Sequence, residues 1–169
     1  AGSAINSADA NGTVLIGALA GEALTDGQDN VAIGLSSLND VTTANYNTAV
    51  GAYAGSKITT DGNSTLIGFR AGEYLTESHN VFVGMDAGRF AYNVDTSVLI
   101  GYSAGEYIGQ GNTDATSVVC IGFDAGKYVT GSYNTFVGRD AGRGGTTSAP
   151  FSSGQYGTIV GYQAGYSFT

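Results

Sequence analysis

One glycine-centred phrase recurs nine times along the chain, at Gly17, Gly34, Gly51, Gly68, Gly84, Gly101, Gly122, Gly138 and Gly161, with spacings of 17, 17, 17, 16, 17, 21, 16 and 23. Most copies continue as Ala-Gly, as in Val14-Leu15-Ile16-Gly17-Ala18-Leu19-Ala20-Gly21 and Thr158-Ile159-Val160-Gly161-Tyr162-Gln163-Ala164-Gly165. A repeat this short cannot bury an apolar face by itself, so it must stack on its neighbours as one turn of a solenoid. The period therefore predicts an all-β fold, a β-solenoid or β-roll of about nine coils with two short strands per coil. Residues 11–169 form one repeat domain, preceded by an N-terminal extension or cap over 1–10. At ~4.8 Å per coil the rod is about 40 Å long.

Aligning the repeats on their glycines turns sequence into columns. Immediately before the glycine stand only isoleucine and valine, from Ile16 to Val160, and two residues earlier only valine and threonine, from Val14 to Thr158. These two columns share a face of the strand, and β-branched residues suit a pleated surface; they are read as one wall of the core. Between them, on the other face, lies a third apolar column of Leu15, Ala32, Ala49, Leu66, Phe82, Leu99, Cys120, Phe136 and Ile159. Whichever face is the interior, one apolar ladder points outward and needs cover. With the β-branched wall taken as core, the expected subunit interface is Leu15, Leu66, Phe82, Leu99, Cys120, Phe136 and Ile159, with rods packed side by side in an oligomer.

After the glycine, Ala-Gly marks a tight turn, replaced by Ser37-Leu38 in the second coil. A second short strand is expected at Leu24, Val41, Ile58, Leu75, Ile108, Val129 and Phe168. A threonine corner at Thr25, Thr42, Thr59, Thr76, Thr130 and Thr169 follows, and Asn30, Asn47, Asn63, Asn80 and Asn134 open the next coil. Asparagines stacked at a corner hydrogen-bond along the ladder and tolerate left-handed backbone, a structural role.

The run Asn47-Thr48-Ala49-Val50-Gly51-Ala52-Tyr53-Ala54-Gly55, with its kin at Asn80 to Gly88 and Asn134 to Gly142, resembles the β-roll head repeats of trimeric autotransporter adhesins and related bacteriophage tail-fibre repeats. The resemblance spans Asn11 to Thr169. It implies a homotrimeric fibre, extracellular, on a cell surface or on a virion, with the outward apolar ladder facing the three-fold axis. The modal spacing of 17 is longer than the usual adhesin head repeat, and the Ala-Gly ending is nearer the phage-fibre form.

Composition removes several functions. The net charge is −8 and only Lys57, Arg70, Arg89, Lys127, Arg139 and Arg143 are cationic, which disfavours nucleic acid. No apolar run reaches membrane-spanning length. Cys120 stands alone, so it forms no intramolecular disulfide and reads as a small buried hydrophobe. Gly101-Tyr102-Ser103-Ala104-Gly105 matches a nucleophile elbow only because the repeat generates it, and the sole histidine, His79, precedes the serine. Asp124 and Asp140 share a column, but the calcium-binding nonapeptide is missing, and Lys127, Arg139 and Arg143 balance them as surface charge. No enzyme activity, metal or cofactor is expected.

Aromatic columns remain, with Tyr53, Phe69, Tyr102, Phe123 and Tyr162 in one and Tyr74, Phe90, Tyr107 and Tyr128 in another. Stacked rings brace a ladder, and exposed ones suit sugar faces. Both long spacings fall in the last four coils, adding Gly109 to Asp114 and Gly144 to Gln155. Tyr107, Tyr128, Phe151 and Tyr156 are therefore the candidate platform for a cell-surface carbohydrate. The expected function is a non-enzymatic fibre segment, adhesin-like or tail-fibre-like. The alternatives are a self-assembling extracellular filament stacking end to end, or an ice-binding solenoid using the threonine column.

Overall fold

Each phrase places three residues in a strand directly before its glycine. In the computed structural model, which describes residues 12–110, 114–145 and 153–167, the strands are β1 (Val14–Ile16), β2 (Val31–Ile33), β3 (Thr48–Val50), β4 (Thr65–Ile67), β5 (Val81–Val83), β6 (Val98–Ile100), β7 (Val119–Ile121), β8 (Thr135–Val137) and β9 (Thr158–Val160). They form one parallel sheet in sequence order, nine strands wide. Pairing is in register, Leu66 opposite Phe82 and Phe82 opposite Leu99, so every sequence column is a column in space. The fold is a parallel β-solenoid with one strand per coil and no helix among the described residues. The expected extension over 1–10 lies outside them.

The side chains face opposite to expectation. Leu66, Phe82, Leu99, Cys120 and Phe136 are fully buried within the single chain, and Leu15 and Ile159 pack against the same core from its two ends. The residues expected at a subunit interface are therefore interior. The Val14 and Ile16 columns point outward instead: Ile67, Ile100 and Ile121 are 39, 37 and 38% exposed. The physical reason is shape. The interior column must match what faces it across a thin core, so its residues vary from alanine to phenylalanine, whereas the outer columns only need to suit a pleated surface. Cys120 is buried and free, and burial pushes its thiol pKa up.

Only one strand forms per coil because the chain turns where a second was expected. The phrase glycines have φ of 125–136°, a region open essentially to glycine alone. Two residues on, Leu19, Tyr53, Arg70 and their counterparts are left-handed, and the glycine of Ala-Gly is left-handed again. Leu24, Ile58, Leu75, Ile108 and Val129 then donate their N–H back to that glycine's carbonyl three residues earlier. These residues belong to a turn, yet they are buried and form the opposite wall of the core. Phe168 lies outside the described residues.

At the last corner a buried polar column closes the coil. Asn47 N–H donates to Asn30 Oδ1 at 3.0 Å and Asn30 Nδ2 donates to Ala44 O at 2.7 Å, joining adjacent coils from both ends of one amide. Asn47, Asn80 and Asn134 repeat the pattern. Asn63 does not belong to this column. Its neighbour Ser64 occupies the buried place and accepts from Asn80 N–H at 3.2 Å, while Asn63 is exposed with φ 60°.

The second coil shows how the interior is filled. A Cβ on Gly21, Gly72, Gly88, Gly105 or Gly142 would meet the interior residue of its own strand, such as Leu15, Leu66 or Phe82. Where the strand carries only Ala32, the same position holds Leu38, buried and left-handed at φ 47°. Bulk has moved across the core without changing the coil. Leu38→Gly should then cost about 2–5 kcal/mol by opening a cavity. The double change Ala32→Leu with Leu38→Gly should recover most of that loss in chemical denaturation.

Candidate interaction surface

The outer face of the sheet follows directly from the strand pattern. Its first column is valine or threonine throughout, its second isoleucine or valine, and neither contains a charge. On the entry flank, two residues before strands β2 to β9, stand Asp29, Tyr46, Asn63, His79, Thr96, Ser117, Tyr133 and Tyr156, all exposed. On the exit flank, just after each glycine, stand Leu35, Phe69, Met85, Tyr102, Phe123, Arg139 and Tyr162, also exposed. Among the described residues, all exposed large hydrophobic residues except Leu19, Tyr53, Tyr92 and Tyr166 lie in these four columns. Nine strands at ~4.8 Å, each with about 20 Å of exposed width, give roughly 800 Å². This is the footprint of the whole face with its flanks, polar residues included.

The exit flank is braced. Arg70 lies over the Phe69 ring at 4.5 Å, and Tyr53 meets that ring edge-on at 6.1 Å, from the left-handed column beside it. Tyr102 and Phe123 stack at 5.1 Å, and Arg139 covers Phe123 at 5.0 Å. Tyr133 and Tyr156 stack at 5.1 Å on the entry flank.

The next wall is electrostatic and closed on itself. Arg70 Nη2 donates to Asp86 Oδ2 at 3.0 Å, while its Nε lies 2.8 Å from Oδ1, off a hydrogen-bond axis. Arg89 pairs with Glu73 at 2.7 Å, Lys127 with Glu106 at 2.9 Å, and Arg143 with Asp124 at 3.1 Å. Burial works against the Lys127 ammonium, but its hydrogen bond to Glu106 and the charges of Glu106 and Asp124 outweigh it and hold the pKa above its ordinary value. Asp124 and Asp140 are balanced by Lys127, Arg139 and Arg143 as expected, although both carboxylates are buried rather than on the surface. No group of three or more potential metal ligands occurs among the described residues.

Beside this wall Tyr74, Phe90, Tyr107 and Tyr128 stack in one column at 5.1–5.2 Å. Both faces of Tyr107 are covered by neighbouring rings, so a sugar could reach only its edge. Arg143 lies 5.7 Å from the Tyr128 ring. The other proposed platform residue in view, Tyr156, is 76% exposed but stands far along the chain on the sheet's entry flank; Phe151 lies outside the described residues. In the threonine corner, Thr25 and Thr42 donate their hydroxyls to the carbonyls of Thr42 and Thr59, one coil on.

Comparison with protein-family models, with curated proteins and with solved structures found no match. The surface must be read from its own chemistry. The sequence pointed to an uncovered apolar ladder but placed it on the wrong side of the strand. The two flanks were missed as a unit, although their positions, two residues either side of the β-branched columns, were available from the alignment.

An acidic depression of about 200 Å³ lies at the remaining corner, lined by Glu77, Asn93, Asp95, Asp114 and Thr116. Burial raises the Glu77 pKa first, and the negative charges of Asp61, Asp95 and Asp114 raise it further. A raised folded-state pKa means that the folded chain holds this proton more tightly than the unfolded one. The contribution of Glu77 to stability therefore worsens as pH rises through its titration range and is relieved below it. Glu77→Gln should raise the melting temperature at pH 7, with the gain shrinking on acidification to pH 4.

Proposed function

We propose that this chain is a non-enzymatic structural segment of an extracellular, cell-surface or virion fibre: a rigid rod that packs side by side with copies of itself through the outer face of its sheet. One observation supports this reading above the others, the uncharged, β-branched face that runs the length of the sheet and has no cover among the described residues. With its flanks this face covers roughly 800 Å², the share one partner contributes to a standard-size interface. The resemblance of the Asn-Thr-Ala-Val-Gly repeats to adhesin heads and phage tail-fibre repeats supports the same reading and favours three copies. The apolar ladder offered to the axis is then the Val14 and Ile16 pair of columns rather than the Leu15 column.

Mass in solution tests this reading. Light scattering on the eluting protein should give a fixed small multiple of 17.1 kDa; a monomer at every concentration defeats the proposal, and open-ended polymers would favour end-to-end stacking. Ile100→Lys should dissociate the assembly while leaving the chain folded, because it buries a charge only in the interface. Leu99→Lys, one residue away, should instead unfold the chain, because Leu99 is wholly interior.

A further inference from the structure

Two of the stacked ring pairs among the described residues set tyrosine on tyrosine, Tyr107 with Tyr128 and Tyr133 with Tyr156, at 5.2 and 5.1 Å between centroids. Each pair bridges one of the two long spacings. Tyr107 and Tyr128 stand either side of the insertion at Gly109 to Asp114, and Tyr133 and Tyr156 either side of the one at Gly144 to Gln155. Sequence separations of 21 and 23 residues become a single coil step in space, because the strands stay in register across both insertions.

The second pair is placed to react. Both backbones are left-handed with φ 60°, so both side chains leave the chain in the same direction. Tyr156 N–H donates to the carbonyl of Ser132, the residue before Tyr133, at 3.4 Å, which ties the two coils together at this point. The rings lie within 2° of parallel, and in a ladder of ~4.8 Å steps like atoms face one another. Tyr133 is 51% and Tyr156 76% exposed. A small oxidant therefore reaches both, and the outer ring can tilt toward its neighbour without displacing a packed group. The first pair lacks this freedom. Tyr107 is half-buried and packed against Phe90 on its other face, and burial, with the charge and hydrogen bond of Glu106, raises its pKa so that it holds its phenolic proton more tightly. We infer that Tyr133 and Tyr156 form an oxidative cross-linking site, at which a peroxide-driven oxidant of phenols joins the two rings as dityrosine and staples the chain across its longest insertion.

The reaction balances with hydrogen peroxide as the oxidant. Each phenol gives up one electron and one proton, and the radical left behind carries spin at its Cε carbons as well as at oxygen. Two such radicals pair to form a Cε–Cε bond, after which each ring passes the hydrogen of that carbon to its own oxygen and becomes aromatic again. The pair has lost two hydrogens, and one peroxide has taken them up as two waters. Proximity keeps the coupling within the chain, because a radical on Tyr133 has Tyr156 held one coil away at an effective concentration that no second chain matches. Tyr46 supplies the contrast. It stands in the same column, left-handed at φ 61° and 59% exposed, but the places one coil to either side hold Asp29 and Asn63, which offer no ring. The reaction needs no second copy, so it stands or falls apart from self-association.

The full chain, treated at micromolar concentration with hydrogen peroxide and a haem peroxidase, should lose two hydrogens in mass, gain dityrosine fluorescence and still run at 17.1 kDa on a denaturing gel. Oxygen added at Met85 raises the mass instead, so the two products separate. Tryptic peptides sequenced by mass spectrometry should show the link between Tyr133 and Tyr156. Tyr156→Phe should lower the yield of intramolecular dityrosine by about tenfold or more, and Tyr46→Phe should leave it unchanged. Asn63→Tyr, at a left-handed position of the kind tyrosine already occupies at Tyr46, should add a second link, between Tyr46 and position 63. Because a cross-link restricts the unfolded chain, the oxidised wild-type protein should melt at a higher temperature than oxidised Tyr156→Phe. A yield that survives Tyr156→Phe, a link that forms as readily at Tyr46 in the wild-type chain, or links found only between chains overturn the site. A Tyr133–Tyr156 bond that leaves the melting temperature unchanged overturns the staple.

Discussion

The whole architecture depends on one backbone contact, the stack of phrase glycines. A Cβ on Gly51 would lie 2.5 Å from the carbonyl oxygen of Gly68, and one on Gly34 would lie 2.6 Å from that of Gly51. With φ near 130° as well, the position is closed to every other residue on both steric and conformational grounds. Because each glycine seats on the next coil's glycine, it sets the spacing and register of the strands before it and the turns after it. The in-register sheet, the asparagine column and the aromatic stacks are all consequences of coils superimposed at that point.

Insertions show how local this constraint is. The spacing of 21 between Gly101 and Gly122 and of 23 between Gly138 and Gly161 leaves Leu99 opposite Cys120 and Phe136 opposite Ile159. The ladder holds up to each insertion, with Gly109 N–H donating to Val129 O and Gly144 N–H to Tyr166 O, and is back in place at Ser117 and Tyr156, whose N–H groups donate to Asp95 O and Ser132 O. Both the core column and the sheet face pass through unchanged. A solenoid tolerates this because each coil answers only to its neighbours.

The columns were legible in the sequence because period and register survive without structure, and so was the solenoid. Inside and outside were not, because a three-residue strand such as Val98-Leu99-Ile100 is apolar at every position and offers no alternation to read. The deciding clue was subtler. Residues that vary in size and trade volume with another column, as Ala32 does with Leu38, are packing against something, whereas an unbroken run of isoleucine and valine only has to lie flat. The second strand was misread for a related reason: Leu24 and Ile58 are apolar because they are buried, and burial at period seventeen does not distinguish a turn from a strand. Asn63 was placed in the wrong column because asparagine suits both neighbouring positions, the left-handed one it occupies and the buried one held by Ser64.

Charge is sorted as strictly as apolar surface. Every lysine and arginine is engaged in an ion pair, five of the six on or beside the wall next to the exit flank, so positive charge is spent within the chain. Four of the carboxylates that pair with no lysine or arginine, Asp61, Glu77, Asp95 and Asp114, act on one another at a single corner. The sheet face is thus left neutral between a balanced wall and an acidic edge. Rods brought together face to face meet no like charge at the apolar surface, while approach by the acidic edges is opposed over a Debye length of about 8 Å at physiological salt. Repulsion at one edge and a neutral apolar face at another would restrict the orientations open to two such rods before any side chain interlocks.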